Sequence, residues 1–415
     1  MNILFIVPYA PNLIRTRPYN LVRGLRRHGH VITLVTLWEN VRELEALHGL
    51  EEEGIRVLCG RLTKQRSAWN ALGALPTAVP LQAVYCWQPE LLPLIAEELA
   101  SNHFDIVHVE HLRGARYGLW VKSHFPADGT RPGLVWDSVD CISFLFEQAA
   151  QRSGSLMGRF VARLELNRTR RYEGWLSQQF DRVLVTSSAD QCALEQLASQ
   201  SKGGTSSSAE TITVLPNGVD LEFFTPMDQP RESDTLVFTG KMSYHANITA
   251  ALYLVNEIMP RVWQRKPTAR LQIVGHRPPR QIIDLAQKYD GRIQVTGTVP
   301  DIRPYLAKAT LAVVPILYGA GIQNKVLEAM AMETPVVATR KAVSAISVQH
   351  GDQILLGDTP DEIAQQIVRL LDDERLRKQI ARRGRQHVEL QHDWDLIVKN
   401  LEKIYVAVGT VGKDA

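Results

Sequence analysis

The chain has 415 residues, 45% of them hydrophobic and 22% charged, with a formal net charge of +3. That composition is ordinary for a soluble globular protein. The length exceeds what one hydrophobic core sustains, so two domains are expected, and the small net charge gives no reason to expect nucleic acid as a partner.

The opening stretch, MNILFIVPYAP, is apolar but has no basic leader region and no small-residue cleavage site, so it reads as a first strand. No run approaches the ~18 apolar residues of a membrane span. Short β-branched runs then alternate with longer helical patterns, the signature of parallel α/β sheets. The first half contains NILFIV, VITLVTL, IRVLCG, DIVHVEH, GLVWDS and RVLVTS; the second contains TLVFTG, LQIVG, IQVTG, LAVVPI and PVVAT. The four cysteines, Cys59, Cys86, Cys141 and Cys192, are scattered with no CxxC pair. That argues against a zinc site and a disulfide framework and fits reduced thiols in a cytoplasm.

Between the halves lies SQSKGGTSSSAETITVLPNGVDLEFFTP. Its Ser/Gly-rich part buries too little apolar surface to order itself and is expected to be a mobile loop. LPNGVDLEFFTP reads as an ordered hinge, which puts the boundary near Thr225. The expected organisation is a doubly wound domain over 1–225 and a second over 226–391, with a last helix at about 392–409 packing back on the first. Ligands should then sit in the cleft between the domains, outside the carboxyl ends of the strands.

One motif in the second half carries chemistry. In GAGIQNKVLEAMAMETPVVAT, which follows the strand LAVVPI, Gly319 and Gly321 form a turn into an apolar helix that carries Lys325 and Glu328. Glycines there let the backbone approach a ligand, and the first free amides of the helix attract a phosphate. Lys325 and Glu328 are one turn apart on a single face. They can offer a cation to a diphosphate and a carboxylate to vicinal hydroxyls; the other reading is a surface i,i+3 salt bridge. A dinucleotide fingerprint lacks its third glycine and its distal acid.

HGHVITLVT, FDIVHVEHL, FDRVLVTSSAD, VLPNGVDLEFF, VFTGKMSYHAN, LQIVG, VTGTVPDIRPYLAKATLAVVP, KVLEAMAMETPVVAT and HDWDLIVKNLEKIY occur in an order that resembles the GT-B glycosyltransferases of glycosyltransferase family 4. The GIQNKVLEAMAM variant is most similar to sugar transferases of bacterial exopolysaccharide clusters. The resemblance implies two Rossmann-like parallel-sheet domains facing a central cleft. It also implies a retaining, metal-independent hexose transfer from a nucleotide-diphosphate sugar, a co-substrate rather than a cofactor, to a glycan or lipid-linked acceptor in the cytoplasm.

The resemblance also assigns residues. It places Lys241 and Lys325 on the diphosphate, with the Gly321, Ile322 and Gln323 backbone, and Glu328 on the ribose. The remaining donor contacts it implies are Gly240, Gly275, Val299 and Arg303, the last of which reads equally as a helix-surface charge. His111 becomes the catalytic-side histidine, and Arg17, Glu110 and Asp137 the acceptor-side groups, with surface charge the other reading of Arg17. Two positions depart from the family pattern. The first of its two glutamates falls on Ala320, so donor-sugar recognition rests on other groups. Its second basic residue after Lys241 has no counterpart in MSYHAN.

Two further features have competing readings. Asp393 and Asp395 in DWD spell a metal motif but start the last amphipathic helix, where aspartates complement the dipole, so no metal is expected. The run from Arg152 through Arg159, Arg163, Arg168, Arg170 and Arg171, with Leu156, Phe160 and Leu164 at helical spacing, is either a packed helix with a solvated face or a surface that docks on an anionic leaflet at the inner face of the plasma membrane. A non-catalytic sugar-nucleotide binding protein and a nucleotide-sugar epimerase of the same fold are the alternative functions.

Overall fold

The computed structural model describes residues 1–13, 15–125, 131–150, 156–201, 211–289, 291–318 and 321–411, the side chains of 148–150, 156–164 and 410–411 excepted. Gly319, Ala320, Arg152 and the Ser/Gly-rich stretch at 202–210 therefore lie outside the described residues, as do the side chains of Leu156, Arg159, Phe160, Arg163 and Leu164.

The chain divides into two compact units, Met1–Pro216 with Trp394–Ala415, and Asn217–Asp393. The division falls ahead of Thr225 because Val219 is buried in the core of the second unit, with Leu221 and Phe224 packed against it.

The first unit is a seven-stranded parallel sheet: β1 (Asn2–Val7), β2 (Val31–Trp38), β3 (Arg56–Arg61), β4 (Ile106–Glu110), β5 (Gly133–Val139), β6 (Arg182–Val185) and β7 (Ile212–Val214), in the order β3-β2-β1-β4-β5-β6-β7. Strand side chains alternate between faces. Leu4 and Ile6 thus join one apolar cluster, while Ile3, Phe5 and Val7 join another. The helix Trp394–Val411 supplies Trp394, Ile397, Val398, Leu401, Tyr405 and Val408 to the second cluster, a stripe at helical spacing. Its amino end is tied down by charge: Asp395 pairs with His28 at 2.7 Å and Lys399 at 2.6 Å, and Glu402 with His28 at 3.0 Å and His30 at 2.7 Å.

The second unit is a six-stranded parallel sheet: β8 (Thr235–Thr239), β9 (Arg270–Val274), β10 (Ile293–Gly297), β11 (Leu311–Val314), β12 (Val336–Ala338) and β13 (Leu355–Leu356), in the order β10-β9-β8-β11-β12-β13. Eleven strands coincide with runs read from the sequence. The other two, β7 and β13, have three and two residues, too few to show a period.

In each sheet the order reverses once, between β1 and β4 and between β8 and β11. Neighbouring crossovers leave in opposite directions there, which opens a crevice at the carboxyl ends of the strands.

Candidate functional site

At the β8/β11 reversal the backbone is packed tightly enough to demand glycine. Gly240 and Gly275 have φ of 155° and 156°, and a Cβ on Gly275 would stand 1.7 Å from the Gly240 carbonyl oxygen. The Gly240 amide donates to the Val274 carbonyl at 3.0 Å, and the Gly275 amide to that of Gly297 at 3.2 Å. A Cβ on Gly240 would meet Asn247 Nδ2 at 2.9 Å and Lys325 Cε at 3.2 Å. The lysine read from the sequence therefore lies directly over this strand end.

Lys325 belongs to the helix Asn324–Ala331, which buries Val326, Leu327, Ala329, Met330 and Ala331 and leaves Lys325 and Glu328 on the outer face. Both keep some solvent-accessible surface while being crowded by protein. Lys325 Nζ donates to Gln323 Oε1 at 3.1 Å. No ion pair closes between Lys325 and Glu328 among the described residues. Burial pushes the Lys325 ammonium down to about 8 against the pull of Glu328, and pushes the Glu328 carboxyl up to about 7 against the pull of Lys325. The helix start has no side-chain cap, and its two ionisable groups share one face without a closed salt bridge.

Lys241 is exposed, and its carbonyl accepts from Asn247 Nδ2 at 3.0 Å. Asn247 is almost fully buried and closes this loop from inside; sequence reasoning missed it. Gly321 has φ of 70°, Ile322 is a core residue, and Val299 packs on the core margin. Arg303 is engaged within its own unit: its guanidinium holds Asp301 at 2.8 Å, donates to the Phe223 carbonyl at 3.0 Å and lies 3.8 Å over the Phe223 ring. That pairing ties the segment before β8 to the loop after β10.

At the β1/β4 reversal of the first unit, the expected acceptor-side groups separate into buried and open ones. Arg17 and Asp137 are not on a surface. Arg17 Nε donates to Asp137 Oδ2 at 2.7 Å, both side chains are buried, and Arg17 Nη1 also donates to the Leu215 carbonyl at 3.0 Å. Burial works to raise Asp137, yet the arginine and His108 hold its carboxyl below the ordinary range. His108 stacks on Phe5 at 4.1 Å, lies 3.6 Å from Asp137, and meets the Tyr405 hydroxyl at 2.8 Å through Nδ1. The ion pair thus anchors the sheet and the last helix. Its cause is an apolar surrounding that tolerates a charge only when it is paired.

Glu110 is buried, accepts from the Tyr9 hydroxyl at 2.7 Å, and is pushed up to about 8 by burial and by Asp137. His111 is only half-buried and has φ of 63°, a conformation unusual for a side chain with a Cβ. Its Nδ1 accepts the Arg113 amide at 3.2 Å, and burial pushes it down to about 3. At neutral pH it is therefore an uncharged ring with its proton on Nε2, an N–H donor. Asp140, one strand over, is raised to about 7 by burial and by Asp190.

From Arg159 on, the basic run lies in the helix Leu156–Leu176, where Arg168 pairs with Glu165 at 3.2 Å and Arg170 with Glu147 at 2.8 Å. Among the described residues no three His, Cys, Asp or Glu side chains group to hold a metal ion, and no helix is long and apolar enough to cross a membrane.

Residues 15–223 match the family model described as Glycosyltransferase Family 4, and residues 233–373 that described as Glycosyl transferases group 1. The phosphatidyl-myo-inositol mannosyltransferase of Mycobacterium tuberculosis is 26% identical over 210 residues, covering 48% of this chain and 54% of the relative. The GDP-mannose-dependent monoacylated alpha-(1-6)-phosphatidylinositol monomannoside mannosyltransferase of Corynebacterium glutamicum is 28% identical over 212 residues, covering 47% and 56%. The chain thus spans about half the length of the curated relatives it matches. Among solved structures, sucrose-phosphate synthase from Thermosynechococcus elongatus superposes with a TM-score of 0.68 at 19% identity over 99% of both chains. Anabaena HepE in complex with UDP and glucose superposes with a TM-score of 0.64 at 16% identity, over 98% of this chain and all of that one. These structures share the fold.

Proposed function

The chain is a member of glycosyltransferase family 4, and from that premise we propose that it moves a hexose from a nucleotide-diphosphate sugar to a glycan or lipid-linked acceptor with retention at the anomeric carbon. The observation that carries this reading is Lys325, whose Cε lies over Gly240 and which shares a helix face with Glu328 without closing a salt bridge to it. A cation and a carboxylate one turn apart suit a diphosphate and a ribose. That a relative is named as GDP-mannose-dependent and a structural neighbour is titled with UDP and glucose supports a nucleotide sugar as the donor.

In the proposed step the bond from the sugar's anomeric carbon to the donor's phosphate oxygen breaks, and the acceptor oxygen bonds to that carbon from the same face. The acceptor's hydroxyl proton passes to the departing phosphate oxygen. Lys241 and Lys325 offset the charge that develops on the diphosphate, so no metal is required of the scheme. Glu328 holds the ribose, while the uncharged N–H of His111 offers a hydrogen bond on the acceptor side. Calorimetric titration with UDP, GDP and ADP, followed by product analysis with the sugar of the nucleotide that binds, tests the reading. Binding without transfer to any acceptor would favour the non-catalytic alternative, and an altered nucleotide sugar made without acceptor would favour the epimerase.

The lipid-linked form of the acceptor is favoured by the helix Lys64–Ala74 and its end, where Trp69, Leu72 and Leu75 are 71%, 57% and 52% exposed at intervals of three residues. Between Glu53 and Glu90 the sequence has no acidic residue, and Arg61, Lys64 and Arg66 shortly precede Trp69 in the chain. Exposed indole and leucine side chains in a stretch with basic but no acidic residues suit an anionic leaflet. We place the chain in the cytoplasm, at such a membrane, in the synthesis of an exopolysaccharide or glycolipid.

A further inference from the structure

The missing second basic residue after Lys241 has a replacement that the sequence pattern conceals. His245 is the first residue of the helix His245–Tyr253, four positions after Lys241, and no Lys or Arg occurs from Met242 to Pro260. Its ring stacks on that of Tyr318, with centroids 5.3 Å apart and planes within 14°. Tyr318 lies between β11 and the helix Asn324–Ala331 that carries Lys325. His245 therefore joins the segment after β8, which carries Lys241, to the segment after β11, which leads to the helix of Lys325.

The hydrogen bonds fix which ring nitrogen faces outward. The Tyr318 hydroxyl lies 2.8 Å from His245 Nδ1 and 3.0 Å from Thr249 Oγ1. Either hydroxyl can be the donor between Thr249 and Tyr318; the arrangement in which Thr249 donates to the Tyr318 oxygen and Tyr318 donates to Nδ1 leaves the ring's proton on Nε2. If the ring takes up a second proton, Nδ1–H donates to the Tyr318 oxygen and Tyr318 donates to Thr249. Both hydroxyls turn and no heavy atom moves. Nδ1 is engaged in either state, and His245 as a whole is exposed.

We infer that His245, oriented by Tyr318 and Thr249, is a third contact of the donor's diphosphate, offering Nε2–H where a second lysine or arginine is absent. The inference rests on the donor-site reading above: the diphosphate must lie at the β8/β11 reversal for His245 to meet it. The required chemistry is that of an N–H donor able to become a cation beside a polyanion.

Calorimetric titration with inorganic pyrophosphate tests this without knowledge of nucleobase or sugar. His245→Gln should weaken pyrophosphate binding about 10-fold, the size of one charge-assisted hydrogen bond, with its thermal melting unchanged. His245→Lys should restore affinity to within about threefold of the parent, because a cation is returned to the same place. Tyr318→Phe should weaken binding in the parent and add nothing to His245→Gln, since both act through one ring. Parent-like affinity in His245→Gln, with Lys241→Ala and Lys325→Ala weakened, would overturn the inference and leave the donor site standing. Parent-like affinity in all three would remove the donor site and the inference together. A loss in His245→Gln alone would uphold His245 and remove the lysines.

Discussion

Lys325 Cε lies 3.2 Å from where a side chain would begin at Gly240, so the strand end and the helix that follow one another around the sheet reversal share one close contact. Gly240→Ala would force a methyl group against both Lys325 and Asn247, in a backbone conformation that disfavours a Cβ. It should destabilise the second unit by about 1–3 kcal/mol and weaken nucleotide binding, because the lysine must move. Thermal melting read beside calorimetry checks both effects; a stable variant with parent-like affinity would detach Lys325 from the diphosphate.

Glu328 gives a prediction of opposite signs. Its carboxyl is raised to about 7 by burial, so the native state favours the protonated form. The resulting cost to stability grows as pH rises from the ordinary carboxylate range through about 7. Glu328→Gln should therefore stabilise the fold at pH 8, by on the order of 1 kcal/mol, while weakening nucleotide binding through loss of the ribose acceptor. Paired melting curves at pH 5 and pH 8 should show the gain only at the higher pH.

The nucleotide's affinity should itself pass through a maximum between about 7 and about 8, since Glu328 ionises near the first and Lys325 loses its proton near the second. Glu328→Gln should remove the acid limb and leave the alkaline one. A flat profile from pH 6 to pH 9 would contradict the assignment of both groups.

The last helix is held by a titrating tether. His28 is raised by its bonds to Asp395 and Glu402, despite burial working to lower it, so its contribution is complete below its ordinary value near 6.5 and fades as pH rises through its raised value. Asp395 and Glu402 are lowered, so their contributions are complete above 3.8 and 4.5 and fade as pH falls. The tether is strongest from about 4.5 to about 6.5. His28→Ala should lower the melting temperature most near pH 5.5 and little at pH 9. The loss should be about 1 kcal/mol at most, because the groups are partly solvated. Equal losses at both pH values would show that packing alone holds the helix.

Trp69, Leu72 and Leu75 should govern association with membranes. Replacing all three by Ser should abolish sedimentation with phosphatidylglycerol vesicles and leave nucleotide affinity unchanged, because they are exposed and belong to the other unit. Parent binding should fade as salt rises, through screening of Arg61, Lys64 and Arg66. Equal sedimentation of parent and variant would shift attention to the arginines of 152–171.

Much of this is legible in the amino-acid sequence. The apolar runs gave eleven strands because strands buried on both faces read as continuous β-branched stretches. Lys325 and Glu328 stood out as charges in an apolar helix. The pairing of Arg17 with Asp137 joins residues 120 positions apart, and nothing local in either stretch reports it. For the same reason Arg17 reads as surface charge, although it is buried. His245 was visible only as the lack of a lysine; its role depends on Tyr318, 73 positions away. The Gly240 and Gly275 contact likewise needs two strands side by side.

The claim on which the rest depends is that the β8/β11 reversal binds a nucleoside diphosphate through Lys325 and Glu328. Isothermal titration of UDP, GDP and ADP into parent, Lys325→Ala and Glu328→Gln protein measures it directly. One of the three nucleotides should bind the parent, and each substitution should weaken that binding by about 10-fold or more. No binding of any nucleotide to the parent, or equal binding by parent and both variants, would contradict it.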